Sequence, residues 1–310
     1  MGTKRGSGHG EEKRMELLQE SPCTLCPRAC GVKRQEGELG FCRMPAGLRV
    51  ARTMLHKWEE PALAGPGGSG AVFFSGCTLG CLYCQNAAIR QDRAGREMTS
   101  AALREELERL IAQGAENIDL VTPTHFLPWI VPALRPKLPV PVVYNCGGYE
   151  RVKTLRALEG LVDVYLPDLK YADAALAARL SGAQDYFPVA TRALEEMVRQ
   201  TGPCQWAGER LRRGVIIRHL ILPGHIENSL RVLDWIGQAF APGTVLVSLM
   251  RQYTPMPRTA GLPPLDRRVS EEEYQAVLSW VYLNRLEGFV QEADAASAAF
   301  IPDFSGSVDR

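Results

Sequence analysis

Between residues 71 and 250 the chain alternates short apolar runs with stretches of helical periodicity. The apolar runs fall at 71–75, 117–121, 140–145, 162–166, 215–222 and 245–250, each the length of a strand. Helical patterns occupy 99–113, 125–135 (broken by prolines), 150–159, 173–179, 190–200 and 227–240. Alternation of this kind argues for parallel βαβ units with the helices outside the sheet. The expected fold class is α/β, six parallel strands curling into a partial (β/α)6 barrel with an open flank. A flat, doubly wound sheet satisfies the same pattern, because alternation does not fix closure.

On either side of these units the pattern changes. Residues 1–20 are polar, rich in Gly, Lys, Arg and Glu, and read as a disordered tail. Residues 21–66 read as a cysteine-rich metal module and linker. Apolar periodicity is weak there, so ordering requires a metal or support from the main domain. The Pro- and Gly-rich stretch 61–70 punctuates structure. The barrel units make up 67–262. A C-terminal helical extension is expected over 263–310, opened by Ser270 as a cap with Glu273 three residues on. Tyr274, Val277, Leu278, Val281 and Leu286 follow at helical spacing, which predicts a helix packed on the barrel.

Composition narrows the function. The chain has 310 residues, 45% hydrophobic and 23% charged, which suits a globular enzyme. A net charge of +1 argues against nucleic acid as a partner, since phosphate binding needs a basic surplus. No apolar run is long enough to span a bilayer, and the first residues lack the apolar stretch of a secretory signal. The expected location is therefore cytoplasmic, with no membrane partner. Nine cysteines change the picture most. Their number is odd and seven lie in two tight groups, so they read as metal ligands rather than a disulfide framework.

The second group, Cys77, Cys81 and Cys84, comes directly after the run at 71–75. In a βα barrel that is the end where catalytic groups gather. Gly76 and Gly80 let the loop bend so that three sulfurs can converge on one small object. Four-iron clusters are ordinarily held by four thiolates. Three leave one iron open to chelate the amino and carboxylate groups of a cofactor, much as a catalytic zinc keeps one position free. A zinc knuckle completed by a distant His or Cys is the competing reading. The first group, Cys23, Cys26, Cys30 and Cys42, supplies four thiols and leaves no open position. Its expected job is structural or electron-carrying, with zinc and an auxiliary iron–sulfur cluster both open. His56 and Glu59 follow, either at the junction with the barrel or on the surface.

With the aromatic Tyr83 before its last cysteine, the Cys-x3-Cys-x2-Cys trio resembles the signature of the radical S-adenosylmethionine (SAM) superfamily. The chain is most similar to the group related to pyruvate formate-lyase activating enzymes. It resembles a branch with an N-terminal Cys-Thr-Leu-Cys-Pro-Arg-x-Cys-Gly segment and a Phe-Phe-Ser-Gly-Cys strand exit, over Cys23 to Phe304. The resemblance implies a radical SAM barrel with a 4Fe–4S cluster on Cys77, Cys81 and Cys84 whose fourth iron chelates SAM. Reductive cleavage would then give methionine and a 5′-deoxyadenosyl radical that takes hydrogen from the substrate, while the protein positions the cofactor and excludes water. Tyr83 would lie beside the adenine. The implied function is an activating enzyme whose substrate is a glycine of a partner protein, fed by an external electron donor such as flavodoxin or ferredoxin. A small-molecule or peptide substrate is the alternative, and a non-enzymatic electron carrier or zinc-stabilised scaffold a third reading. The open-iron trio speaks against the third.

Other strand ends supply cofactor-binding candidates. After 117–121 come Thr122, Thr124 and His125, where superfamily members often carry a Gly-Gly-Glu type segment. The plain structural alternative is that Thr124 caps the next helix. Asn145 is a polar group at the cavity lip, and Gly147 and Gly148 beyond it permit close approach of a ligand. Cys146 and Cys204 read as small buried residues. Asp168 and Lys170, two residues apart on a strand, point the same way as acceptor and donor. Activating enzymes carry a similar Asp-Leu-Lys that contacts the cofactor; a surface ion pair is the alternative. Arg218 and His219 fall inside an apolar run, and alternation lets only one face the interior. Arg218 is expected there, near the substrate or the cofactor carboxylate. His219 and His225 read as structural histidines, Gln252 and Tyr253 as rim residues. No side chain is assigned as a catalytic acid, base or nucleophile.

Overall fold

The computed structural model describes residues 7–18, 21–91 and 95–291. In chain order these form α1 (Ser7–Leu17), β1 (Leu48–His56), β2 (Ser69–Phe74), α2 (Ala87–Gln91), β3 (Arg96–Met98), α3 (Ser100–Ala112), β4 (Asn117–Val121), α4 (Leu127–Ala133) and β5 (Val142–Cys146). There follow α5 (Val152–Arg156), β6 (Val164–Pro167), α6 (Ala174–Ser181), α7 (Tyr186–Thr201), β7 (Gln205–Ala207), β8 (Arg210–Leu220), α8 (Ile226–Ala239), β9 (Leu246–Met250), α9 (Glu271–Leu283) and β10 (Gly288–Val290). The six apolar runs read from the sequence are β2, β4, β5, β6, β8 and β9, which lie side by side in that order and parallel. At one end β1 pairs antiparallel with β2, and β3 with β1; at the other, β10 adds a parallel strand to β9. Among the described residues the sheet stays open, with β3 and β10 at its two ends.

Both faces of the sheet are covered, as the continuous burial of β2, β4, β5 and β9 requires. On one face Val72, Ile118, Leu120, Ile217 and Leu249 share a core with apolar residues of α3, α4, α6, α7 and α8. Thr99 caps α3, Asp173 caps α6, and Ser270 forms a reciprocal capping box with Glu273 at the start of α9. The other face is covered by the chain itself. After β1, residues 57–66 cross it, and Ala62 and Leu63 pack with Val143, Val164, Leu166, Ile216 and Leu246. Asn117 Nδ2 donates to Leu63 O at 2.9 Å, and Leu211 N donates to Ala62 O at 2.9 Å. A stretch whose prolines and glycines read as a linker is therefore a plug on the sheet.

Several boundaries differ from the sequence reading. Residues 48–56, grouped there with the cysteine module, are strand β1, which pairs with β2 and, through 48–50, with β3. In the expected tail, Ser7–Leu17 is helical, and Arg14 fastens it by donating to Ala157 O at 2.8 Å and Glu159 O at 2.9 Å. α5 is short, because the chain after it tightens into bonds three residues apart, such as Leu158 N to Leu155 O. α7 begins earlier than expected, with Pro188 in its first turn, where an N–H has no partner within the helix. The C-terminal extension contributes β10 as well as a helix, and its residues 292–310, with Phe304, lie outside the described residues.

The segment 21–47 is held by the main domain. Arg34, 1% exposed, donates to His125 O and Pro45 O at 2.6 Å each and to Met44 O at 3.3 Å. Thr154 Oγ1 donates to Leu25 O, and Arg151 to Thr24 O, both at 2.7 Å. No described helix is long and apolar enough to cross a membrane.

The plug makes a stability prediction. Leu63 is 3% exposed, so Leu63→Ala should cost about 2–4 kcal/mol in chemical denaturation, the usual range for a buried leucine. A loss below about 1 kcal/mol would mean that this segment rests on the sheet without packing into it.

Candidate functional site

β2 ends at Phe74, and the chain turns at Gly76, whose φ is 80°. A Cβ there would stand 2.4 Å from Met44 Cγ and 2.8 Å from Cys42 O, so glycine lets the four-cysteine segment press against the turn. Beyond it, Cys77, Cys81 and Cys84 line a cavity of about 590 Å³. Leu79 N donates to Cys77 Sγ at 3.3 Å, and Ser181 Oγ donates to Cys81 Sγ at 2.9 Å. Burial pushes the Cys77 thiol far up and Cys84 to about 11, and the neighbouring thiols add to both rises. Three thiolates in such a place need a compensating cation, and bound iron supplies one. Among the described residues no three His, Cys, Asp or Glu side chains converge as a single-ion site. An iron–sulfur cluster instead takes its thiolates on separate irons.

A polar part of the lining comes from the ends of β5, β6, β8 and β9. Arg218 donates through Nε to Asp168 Oδ1 at 3.0 Å and through Nη2 to Asn145 Oδ1 at 2.5 Å. Its Nη1 lies 3.7 Å from Glu59 Oε1. Lys170 Nζ takes the second oxygen of Asp168 at 2.5 Å. Burial works against the charge on Asp168, but Lys170 and Arg218 outweigh it and hold the carboxyl below its usual range. Behind Asn145, Asp119 accepts from Asn145 Nδ2 at 3.2 Å and lies against the Glu59 carboxyl. Burial and the Glu59 charge push Asp119 well above the carboxylate range. Glu60, hydrogen-bonded to Ser248, is pushed up to about 7 by burial and by Glu59.

The structure gathers most of the residues singled out from sequence around this cavity. Cys77, Cys81, Cys84, Tyr83, Thr122, Asn145, Asp168, Lys170 and Arg218 all line it, as do His56, Glu59, Cys146 and Gln252. Tyr83 is buried, however, and its hydroxyl bonds to Tyr171 rather than pointing to the space, while its ring packs on Tyr253. Thr124 is a correction. It neither lines the cavity nor caps a helix; its hydroxyl donates to Glu150 Oε1 at 2.7 Å in the helix-side core. The left-handed backbone of Thr122 (φ 59°) reverses the chain there and sends Thr124 away from the cavity. His125 is also buried elsewhere, against Ser75 O, and burial with Arg34 beside it holds the ring down to about 3, so it is neutral. His219 faces away from the cavity, bonded to Leu169 O and Ser229 Oγ, and His225 meets Arg179. Cys204 lies at the β8 hairpin with its sulfur toward Thr244 O.

In the first cysteine group, Cys26 is pushed up to about 12 by burial, with Cys42 and Cys30 adding to the rise, and Cys42 is raised by burial with Cys23 and Cys30 adding. The four thiols thus lie within electrostatic range of one another, without converging as a single-ion site. Residues missed from sequence are Glu60, Asp119, Ser181 and Ser248. Asp119 carried a signal, a carboxylate between Ile118 and Leu120 in an otherwise apolar run. Ser181, at the end of a helix far from the trio, carried none.

The cavity falls within the usual range for a cofactor pocket, and its lining combines three thiols with paired charges. That donor set fits an iron–sulfur cluster with a zwitterionic partner. A model of the Radical SAM superfamily matches residues 71–236. An uncharacterised protein of Methanocaldococcus jannaschii is 29% identical over 266 residues, covering 83% of this chain and 73% of that one. Streptococcus suis SuiB bound to the precursor peptide SuiA superposes with a TM-score of 0.50 at 13% identity, over 72% of this chain and 48% of that chain. SuiB bound to S-adenosylmethionine gives 0.48 at 12% identity, over 72% and 49%. The chain thus spans about half the length of SuiB, and the likeness is one of fold. With more than half of its residues matched by the family model, the chain belongs to the radical SAM superfamily, whose members use a 4Fe–4S cluster and S-adenosylmethionine.

Proposed function

We propose that this chain holds the 4Fe–4S cluster on Cys77, Cys81 and Cys84, binds SAM in the adjoining cavity, and acts as an activating enzyme on a glycyl-radical or other partner protein. The observation that carries the cofactor reading is the cavity itself, lined by three thiols together with Asp168, Lys170 and Arg218. When bound, the cluster and SAM together supply reductive cleavage of a carbon–sulfur bond and a 5′-deoxyadenosyl radical that abstracts hydrogen. In this reading the open sheet is a partial barrel of the pyruvate formate-lyase activating enzyme-like group, and its missing wall admits a segment of the partner. An external flavodoxin or ferredoxin would supply the electron, in the cytoplasm. Cys23, Cys26, Cys30 and Cys42 would hold a second metal, zinc or an auxiliary cluster.

The chain's own groups have separable tasks. Lys170 and Arg218 offer N–H donors to a carboxylate, and Asp168 keeps both charged and aimed at the cavity. Gly147, where a Cβ would stand 2.8 Å from Leu79 Cδ1, lets the β5 exit close against the cysteine loop and exclude water. Burial favours the protonated form of Asp119, which limits the negative charge the wall accumulates.

Three outcomes are expected. Anaerobically reconstituted protein should release 5′-deoxyadenosine from SAM under strong reductant, and Cys81→Ala should abolish the release. The variant lacking Cys77, Cys81 and Cys84 should keep only the metal of the first cysteine group, zinc or iron with sulfide. Unchanged release by Cys81→Ala would end the catalytic assignment.

Lys170→Ala should weaken SAM binding about tenfold, the loss of one charge-assisted hydrogen bond, with iron content unchanged. Equal affinity by calorimetry would return Asp168 and Lys170 to a structural ion pair.

Glu60 predicts a pH dependence. Its native carboxyl keeps a proton up to about pH 7, so the native state binds more protons than the unfolded state and stability falls as pH rises through this window. Glu60→Gln should therefore change little at pH 5 and stabilise the protein at pH 8 by roughly 2 kcal/mol. Parallel denaturation midpoints for the two proteins at both pH values would contradict the buried, proton-holding state of Glu60.

A further inference from the structure

Cys81 receives a hydrogen bond from outside its own loop, from Ser181 Oγ at 2.9 Å. Ser181 is the last residue of α6 and is 1% exposed. Gly182, left-handed at φ 62°, ends the helix there, and the terminal carbonyls turn to the cysteine loop. Leu180 O accepts from Leu82 N at 2.9 Å, and Ser181 O accepts from Gly80 N at 3.3 Å. Arg28 joins the same junction, donating to Ser181 O and to Thr78 O at 3.0 Å each. The hydroxyl is thus fixed in place on both sides of Cys81.

Proton arithmetic gives the bond a direction. A serine hydroxyl has one proton, and Ser181 spends it on the Cys81 sulfur. At its 2.6 Å contact with the Tyr171 hydroxyl, Ser181 must therefore accept. Tyr171 then has no proton left for its 2.6 Å contact with the Tyr83 hydroxyl, and accepts there in turn. The series runs Tyr83 to Tyr171 to Ser181 to Cys81, every member buried. It starts and ends within the cysteine loop, since Tyr83 stands between Cys81 and Cys84. Donors in series polarise one another, which strengthens the last bond in the row.

We propose that Ser181 positions and electronically tunes Cys81: its hydroxyl, polarised by Tyr171 and Tyr83 behind it, stabilises the reduced form of the cluster. The proposal rests on the reading that Cys77, Cys81 and Cys84 hold that cluster. Hydrogen bonds to a ligand sulfur withdraw electron density, and so favour the state with the extra electron.

The test is a mediated dithionite titration of the full chain, reconstituted anaerobically without SAM and followed by electron paramagnetic resonance. Ser181→Ala should shift the one-electron equilibrium toward the oxidised form by up to about tenfold, ~59 mV more negative. Ser181→Thr, which keeps the donor, should restore the wild-type potential. Tyr83→Phe should move it in the same direction as Ser181→Ala by a smaller amount. An unshifted potential in Ser181→Ala at full iron content overturns the proposal. If Ser181→Ala loses iron, Tyr83→Phe decides, and an unshifted potential there overturns it equally. Failure of the underlying reading looks different: the variant lacking Cys77, Cys81 and Cys84 would keep the full iron content and the full amplitude of the titrating signal, rather than at most the share held by the first cysteine group.

Discussion

The guanidinium of Arg218 sits within a parallel strand, where an unpaired charge would be costly, and three separate parts of the chain converge to satisfy it. Asp168 comes from the end of β6, Asn145 from β5, and Glu59 from the segment that crosses the sheet. Each partner holds only if its own strand is in register, and the isolated bridge between Asp168 and Arg218 extends the β6–β8 pairing to meet that need. The same charge fixes Asp168, which fixes Lys170, so the polar wall of the cavity is one connected ionic unit. Partner removal from such a unit costs more than the pair itself contributes, because the remaining charge is stranded.

The cysteine loop answers to a second set of contacts, and these run to the N-terminal segment. Arg28 stacks on Phe41, 3.7 Å from its ring centroid, and reaches Thr78 within the loop. Arg34 holds the carbonyl of His125, whose ring meets Ser75 O just before the trio. The first cysteine group is therefore mechanically continuous with the second. Weak periodicity in residues 21–47 is explained by this dependence: the segment takes its order from the sheet and helices beneath it.

Much of this was legible in the sequence because it is local. Apolar runs such as 117–121 mark buried parallel strands with few alternatives, and three cysteines on a strand exit carry their chemistry in their spacing. Asp168 and Lys170 were singled out by a two-residue spacing at a strand end, although β6 stops at Pro167 and both lie just beyond it. What stayed hidden depends on tertiary context. The plug at Ala62 and Leu63 has turn composition yet is buried, since proline and glycine report backbone shape and not exposure. Thr124 was misplaced because one left-handed residue, Thr122, redirects the chain, and threonine seldom takes that conformation. Strand β10 is three residues long and gains its place only from β9.

The carboxyl cluster beside Arg218 gives the pocket an adjustable charge. Near neutral pH, Lys170 and Arg218 hold Asp168 in its charged form, while burial favours the protonated form of Asp119 and Glu60 is near its midpoint. A ligand with net positive charge lowers the proton affinity of these carboxyls, so its entry expels a proton to solvent and leaves the wall more negative. Occupancy and proton count are then two readings of one equilibrium, and the pocket favours a cation most strongly where Glu60 has already given its proton away.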